Sequence, residues 1–286
     1  MKLLKQVYYF LIYTNLLIAG AAMAQAALTY LFFRAPFDYP IILIEGAATL
    51  ILYNFSMLLS KPKHPGKSAY RRTRWIFKRE WLLWLKSGLG MVFLVYSVFH
   101  IHLYTLFFLI GIGALSLAYS IPIIPLKEKW VGLRQLPGVK IFHIALVWTL
   151  SSVCLPVLEM YLDGFAVDLH LFQTLFVLKF IFLLICTLPF DIRDIQQDSY
   201  YHLKTIPNII GPKRAIGLCY MLIGVHSVVV LFASIRMEVQ LGILATNLLI
   251  AVVLRRVVFR NASRYHYAFL LDFALIAQFF IVYLFS

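Results

Sequence analysis

Three carboxylates crowded near the end of one apolar run are the residues of this sequence whose types and spacing can do chemistry. The stretch reads Leu188-Pro189-Phe190-Asp191-Ile192-Arg193-Asp194-Ile195-Gln196-Gln197-Asp198. Asp191, Asp194 and Asp198 stand at i, i+3 and i+7, which is the spacing of one helix face. Carboxylates grouped in this way repel one another unless they share a cation. Hard oxygen ligands, with water and phosphate completing the sphere, are what Mg2+ accepts. The plain alternative is a solvated helix end where acidic residues meet without a ligand. Only 12 Asp and Glu occur in 286 residues, so their concentration in this one segment favours the metal reading.

The elements that must position these groups follow from composition. The chain is 62% hydrophobic and 13% charged, with a mean hydropathy of +0.86. Soluble domains carry charge at roughly a quarter of their positions, so there is too little polar surface here to cover a water-facing globule. In lipid the backbone must be satisfied within each segment, and long apolar runs read as helices. The expected fold is all-α, a polytopic membrane bundle forming a single domain over 1–286. Runs of spanning length, about 20 residues, fall at 8–33, 39–59, 81–99, 101–119, 138–160, 169–190, 212–235, 238–258 and 265–285, so the chain crosses the bilayer about nine times.

The net charge of +14 would point to nucleic acid in a soluble chain, but the spans exclude a nucleic-acid binder and the cations are placed otherwise. Lys61, Lys63, Lys67, Arg71, Arg72, Arg74, Lys78 and Arg79 crowd the 60–80 connection. Lys127, Lys129, Arg134 and Lys140, then Arg193, Lys204, Lys213 and Arg214, then Arg255, Arg256, Arg260 and Arg264 mark the later alternate connections, while the others hold little beyond Arg34 and Arg236. By the positive-inside rule this puts the N-terminus in the cytoplasm and the C-terminus outside. Lys2, Lys5, an apolar run and Ala22-Met23-Ala24 resemble a secretory signal. The apolar stretch runs on to Phe33, however, and reads as a retained helix. Cys154, Cys186 and Cys219 lie in apolar stretches without CxxC spacing, so neither a disulfide framework nor a metal cluster is indicated.

Asp191, Asp194 and Asp198, followed by Lys204-Thr205-Ile206-Pro207 and Ile210-Gly211, resemble the second signature of the UbiA prenyltransferase superfamily, D-x-x-D-x-x-x-D followed by K-T-L-P and a glycine. Tyr119-Ser120-x-Pro122, Pro125-Leu126-Lys127, Gly138-x-Lys140 and Trp148 are similar to the family's segment between its fourth and fifth helices. The resemblance implies an integral protein of the cell inner membrane that moves a prenyl group from an isoprenoid diphosphate to a lipophilic acceptor, commonly aromatic or a quinone precursor. It implies Asp191, Asp194 and Asp198 as catalytic ligands of Mg2+, with Arg193 and Lys204 helping to hold the diphosphate.

The family's first signature, N-D-x-x-D-x-x-x-D at the end of the second span, is not intact. Asn54 fits, but Phe55, Leu58 and Pro62 stand where aspartates belong. Three readings remain open. Lys61, Lys63, Arg71 and Arg72, with Asn54, contact the diphosphate in place of a metal. Alternatively, the chain is a catalytically silent relative that binds an isoprenoid or a membrane partner. In the third, the basic run anchors the loop to the headgroups of membrane lipids at about 1 kcal/mol per residue, which is compatible with either of the others. Glu45, Lys86, Lys179 and Asp272 are ionisable within spans, and such groups turn towards a cavity or a partner. Lys86 and Asp272 lie at the depth of the expected pocket. No pair of Gly/Pro-broken helices in repeated halves supports a transporter.

Overall fold

The computed structural model describes residues 2–68, 70–119, 121, 124–126, 129–133, 136–200, 203–260 and 269–286. Ser120, Pro122, Lys127, Arg134 and Arg264, named above, lie outside them. The described chain runs α1 (Lys2–Tyr13), α2 (Leu16–Phe33), α3 (Tyr39–Leu59), α4 (Arg71–Phe77), α5 (Trp81–Val98) and α6 (Leu103–Ala118). A small antiparallel ribbon follows, β1 (Ile124–Leu126) with β2 (Lys129–Val131), pairing Ile124 with Val131. The rest is α7 (Val139–Leu162), α8 (Leu169–Arg193), α9 (Ile195–Tyr200), α10 (Ile206–Ile210), α11 (Pro212–Phe232), α12 (Met237–Val258) and α13 (Leu270–Phe285).

Seven of these helices are long and apolar enough to cross a membrane, and α6 and α13 are shorter apolar helices. Together they occupy the nine runs expected. The first run is not one helix, which corrects the expectation of an unbroken span over 8–33. It breaks between Tyr13 and Leu16, where Asn15 takes a left-handed conformation with φ 61°. Asparagine is among the few residues that visit this region readily. Lys86 of α5 donates to the freed Thr14 carbonyl at 2.5 Å, so the exposed backbone acceptor is matched by a cation from a neighbouring helix.

Helix α2 lies at the centre of the bundle, against α3 and α13. Two of its polar side chains, Gln25 and Thr29, find partners across the interior. Gln25 donates to the Leu275 carbonyl at 2.8 Å and to Gln278 at 3.1 Å, and Thr29 donates to the Ser152 carbonyl at 2.6 Å. Lys179, buried in α8, donates to the Gln25 carbonyl at 2.5 Å. Hydrogen bonds are how polar groups are tolerated at such depth. Small residues let the helices close up. A Cβ on Gly242 of α12 would stand 2.8 Å from the Val282 Cα of α13. Outward-facing apolar side chains such as Trp84, Val92, Phe107, Phe232 and Leu248 are exposed, as a lipid-facing surface requires.

The two ends of the bundle differ. One gathers the 60–80 connection and the segment after α8, because Ser60, Pro62, Tyr70, Arg72 and Gln197 line one opening there. The other holds Asp163, whose carboxylate meets His102 at 3.0 Å, and Arg236, which donates to the Leu31 carbonyl at 2.7 Å.

Candidate active site

The local backbone explains how the aspartates come together. Pro189 lies inside α8, where its missing N–H removes one rung of the helix ladder just before Asp191. The helix ends at Arg193, and Asp194 caps it with φ −95° and ψ 10°, its N–H bonded to the Phe190 carbonyl at 3.0 Å. Asp198 therefore sits on α9 rather than on a continuous helix face, which corrects the i, i+3, i+7 reading. The chain then turns back. Asp198 accepts the Leu203 N–H on its carbonyl at 2.8 Å, and the Lys204 carbonyl accepts the Gly138 N–H at 2.8 Å. Gly138 has φ +71°, a conformation that glycine adopts without strain. This joint starts α7 beside α9 and delivers Lys140.

Lys140 is the hub of the carboxylates. Its ammonium lies 2.8 Å from Asp191 Oδ1 and 2.9 Å from Asp198 Oδ2, with both acids almost wholly buried. Asp194 instead takes a two-pronged contact from Arg193, at 2.7 Å from Nε and 2.6 Å from the terminal nitrogen. Arg193 also lies over the rings of Phe190 at 4.9 Å and Phe269 at 5.4 Å.

On the opposite wall Arg72 of α4 reaches inward. It donates to the Asn15 side-chain oxygen and lies 5.6 Å from the Phe269 ring centre. Asn15 in turn donates to Asn54 at 2.9 Å, and Asn54 donates to Ser87 at 3.0 Å. The break between α1 and α2 is thus what links Asn54 to Arg72.

These groups enclose a cavity of about 250 Å3, lined among others by Asn15, Tyr53, Arg72, Lys140, Asp191, Arg193, Asp194 and Asp272, with Ile18, Trp148, Leu183 and Leu275 as apolar wall. A wider opening of about 430 Å3 shares Asn15, Tyr53 and Arg72 with it. Of the residues expected from sequence, Asp191, Asp194, Arg193 and Arg72 line the cavity. Asp198 joins through Lys140, and Asn54 stands one hydrogen bond behind Asn15. Lys61 does not line it and pairs with Glu80 at 2.7 Å. Arg71 lies over the Tyr9 ring at 5.6 Å, and Lys63 and Lys204 are exposed away from it. Lys140, Asn15 and Tyr53 were not among the site residues expected. Lys140 carried a signal, as a lone cation opening a span.

The α8 end offers carboxylates of the type that takes a divalent cation, but their oxygens are not gathered within 4.8 Å of one another, being drawn instead to Lys140 and Arg193. Asp191 Oδ2 is buried without a hydrogen-bond partner, and the acids around it are hard donors. No matching donor set exists at the end of α3, where Phe55 and Leu58, and Pro62 just beyond the helix, offer no carboxylate. Among the described residues, the group whose ligand atoms all lie within 4.8 Å of one another is His102, Glu159 and Asp163, at the far end. Glu159 there accepts the His102 backbone N–H at 3.0 Å, and the hydrogen bond that the His102 ring gives to Asp163 raises the pKa of His102 above its usual value.

No protein-family model matches the sequence, and no curated protein is significantly similar to it. The fold, however, has solved counterparts. A UbiA homologue from Archaeoglobus fulgidus bound to GPP and Mg2+ superposes with a TM-score of 0.62 at 14% identity, covering 96% of this chain and 99% of that one. The same homologue bound to Cd2+ gives 0.57 at 14% identity, over 96% and 99%. The apo structure of a UbiA homologue from Aeropyrum pernix K1 gives 0.64 at 15% identity, over 95% and 97%. The protein is a predominantly helical integral membrane protein, with one short ribbon. Its fold is that of the UbiA homologues.

Proposed function

We propose that the chain is a member of the UbiA superfamily and a prenyltransferase. It moves a prenyl group from an isoprenoid diphosphate to a lipophilic acceptor, aromatic or a quinone precursor, at the cytoplasmic face of the inner membrane. The N-terminus is cytoplasmic in this reading and the C-terminus outside. The observation that carries it is the meeting, in one cavity with an apolar wall, of Asp191 and Asp194 with the two arginines Arg72 and Arg193.

In this reading Asp191, Asp194 and Asp198 hold Mg2+, which when bound neutralises charge on the departing diphosphate oxygens. Arg72 fills the half of the site that lacks carboxylates and grips the diphosphate through its guanidinium. Arg193, braced between two phenylalanine rings, does so from the other side. Lys140 keeps the buried aspartates compensated, and the apolar wall excludes water from the reacting end. Lys61, Lys63, Arg71 and Lys204 serve as the outer basic surface that meets anionic lipid.

The experiment is a titration of purified protein with geranyl diphosphate, with Mg2+ and with EDTA. Binding is expected to require Mg2+ and to weaken in Asp191→Ala. Arg72→Met should cost about 1.5–3 kcal/mol, the range for a hydrogen bond to a charged group. Binding indifferent to EDTA and to both substitutions would overturn the metal-and-arginine site. The silent-relative reading draws on one observation, that Lys140 already compensates Asp191 and Asp198. It prevails if the donor binds but no prenyl group is transferred to any aromatic or quinone-precursor acceptor.

A further inference from the structure

The cavity contains a carboxylate that the scheme above leaves unused. Asp272 lies in the first turn of α13, 7% exposed, and lines the cavity opposite α8. Of the three aspartates lining the cavity, Asp191 is held by Lys140 and Asp194 by Arg193. Asp272 makes no hydrogen bond or ion pair among the described residues. Arg72 and Arg193 act on it only through space. Both cations lie over Phe269, one helical turn earlier. The next cavity residue along the same helix is Leu275, which places Asp272 where the polar end gives way to the apolar wall.

We infer that Asp272 is the residue that recognises the prenyl acceptor, and that the acceptor is a neutral hydroxyl-bearing ring rather than an aromatic acid. This rests on the prenyltransferase reading. A carboxylate in a mostly apolar wall lacks the hydrogen-bond donors it would have in water, and at membrane depth such a group turns to a partner in the cavity. A phenol or hydroquinone supplies that donor and forms a charge-assisted bond, which fixes the ring's orientation beside the prenyl group. A ring that carries its own carboxylate brings two like charges together in a poorly solvated space, so the same residue rejects it. A ring whose oxygen is methylated leaves Asp272 without a donor. Asp272 is here a specificity-determining residue whose effect is read in binding, apart from any effect on the diphosphate.

Three probes of one ring system test this. They are 1-naphthol, 1-methoxynaphthalene and 1-hydroxy-2-naphthoate, titrated into purified full-length protein with and without Mg2+ and geranyl S-thiolodiphosphate, an unreactive donor analogue. Wild type is expected to bind the naphthol roughly tenfold or more tighter than its methyl ether, the fold-change of a charge-assisted hydrogen bond, and to bind the naphthoate most weakly. Asp272→Asn, nearly isosteric, should lose most of the naphthol preference and admit the naphthoate, while the donor analogue binds as before. Unchanged discrimination in Asp272→Asn overturns the inference. So does an equal loss of donor-analogue binding, which would make Asp272 a counter-charge for the arginines. If wild type fails to bind the donor analogue, the prenyltransferase reading falls instead, and the naphthol series without donor still reads Asp272.

Discussion

At the scale of the residue, the cavity is built on borrowed compensation. Lys140 holds two buried carboxylates that are distant from it in sequence, and removing one partner of a buried ion pair costs about 3–5 kcal/mol because the other charge is left uncompensated. Lys140→Met is therefore expected to lower the unfolding temperature of the purified protein markedly, and millimolar Mg2+ should restore part of the loss by taking the lysine's place. Thermal unfolding with Mg2+ and with EDTA checks this, and a variant as stable as wild type would show that the aspartates need no cation. The aspartates were legible in the sequence because carboxylates are scarce in this chain, and one cluster stands out. Lys140 was harder to read. Its meeting with Asp191 depends on the turn at Gly138 and the bond from Gly138 to the Lys204 carbonyl, and no spacing rule encodes that long-range contact. The basic run misled for a related reason. Arg71 and Arg72 are neighbours in sequence, but on α4 they point to different sides, so one lines the cavity and the other lies over Tyr9.

At the scale of the element, the helices were legible from hydropathy alone, since lipid forces every spanning segment to satisfy its own backbone. What hydropathy cannot register is a break that costs no polarity. The bend at Asn15 sits within an apolar run and is closed by Lys86 from α5, so the run looks continuous. The end of α8 at Asp194 was hidden in the same way, since a helical period fits the aspartates whether or not the helix continues. Close approach is equally silent in sequence. Gly242 of α12 packs where a Cβ would meet the α13 backbone at Val282. Gly242→Leu is expected to destabilise the bundle by about 1–3 kcal/mol, the usual range for overpacking, and to loosen α13. Wild-type melting behaviour in that variant would show that the two helices can separate without cost.

At the scale of the whole molecule, the bundle has two chemically distinct ends, and the orientation proposed for it rests on the asymmetry of its cations. Cysteines introduced at Lys67 and at Ser286 are expected to label from opposite sides of the membrane, Lys67 from the cytoplasm. Labelling of both from one side would refute this topology.

Two hydrogen bonds that join residues far apart in sequence also carry a consequence for how the bundle is made. Gln25 bonds to Leu275 and Gln278, 250 and 253 residues later. A chain is synthesised from its N-terminus, so α2 enters the bilayer long before α13 exists. Through that interval the Gln25 amide lacks its final partners in a solvent where an unsatisfied polar group costs several kcal/mol. The early helices thus form an open assembly with an unsatisfied polar group at its centre, which α13 later satisfies. The same helix brings Phe269 and Asp272. The chamber is completed only once α13 has been made, by the step that fastens it to α2.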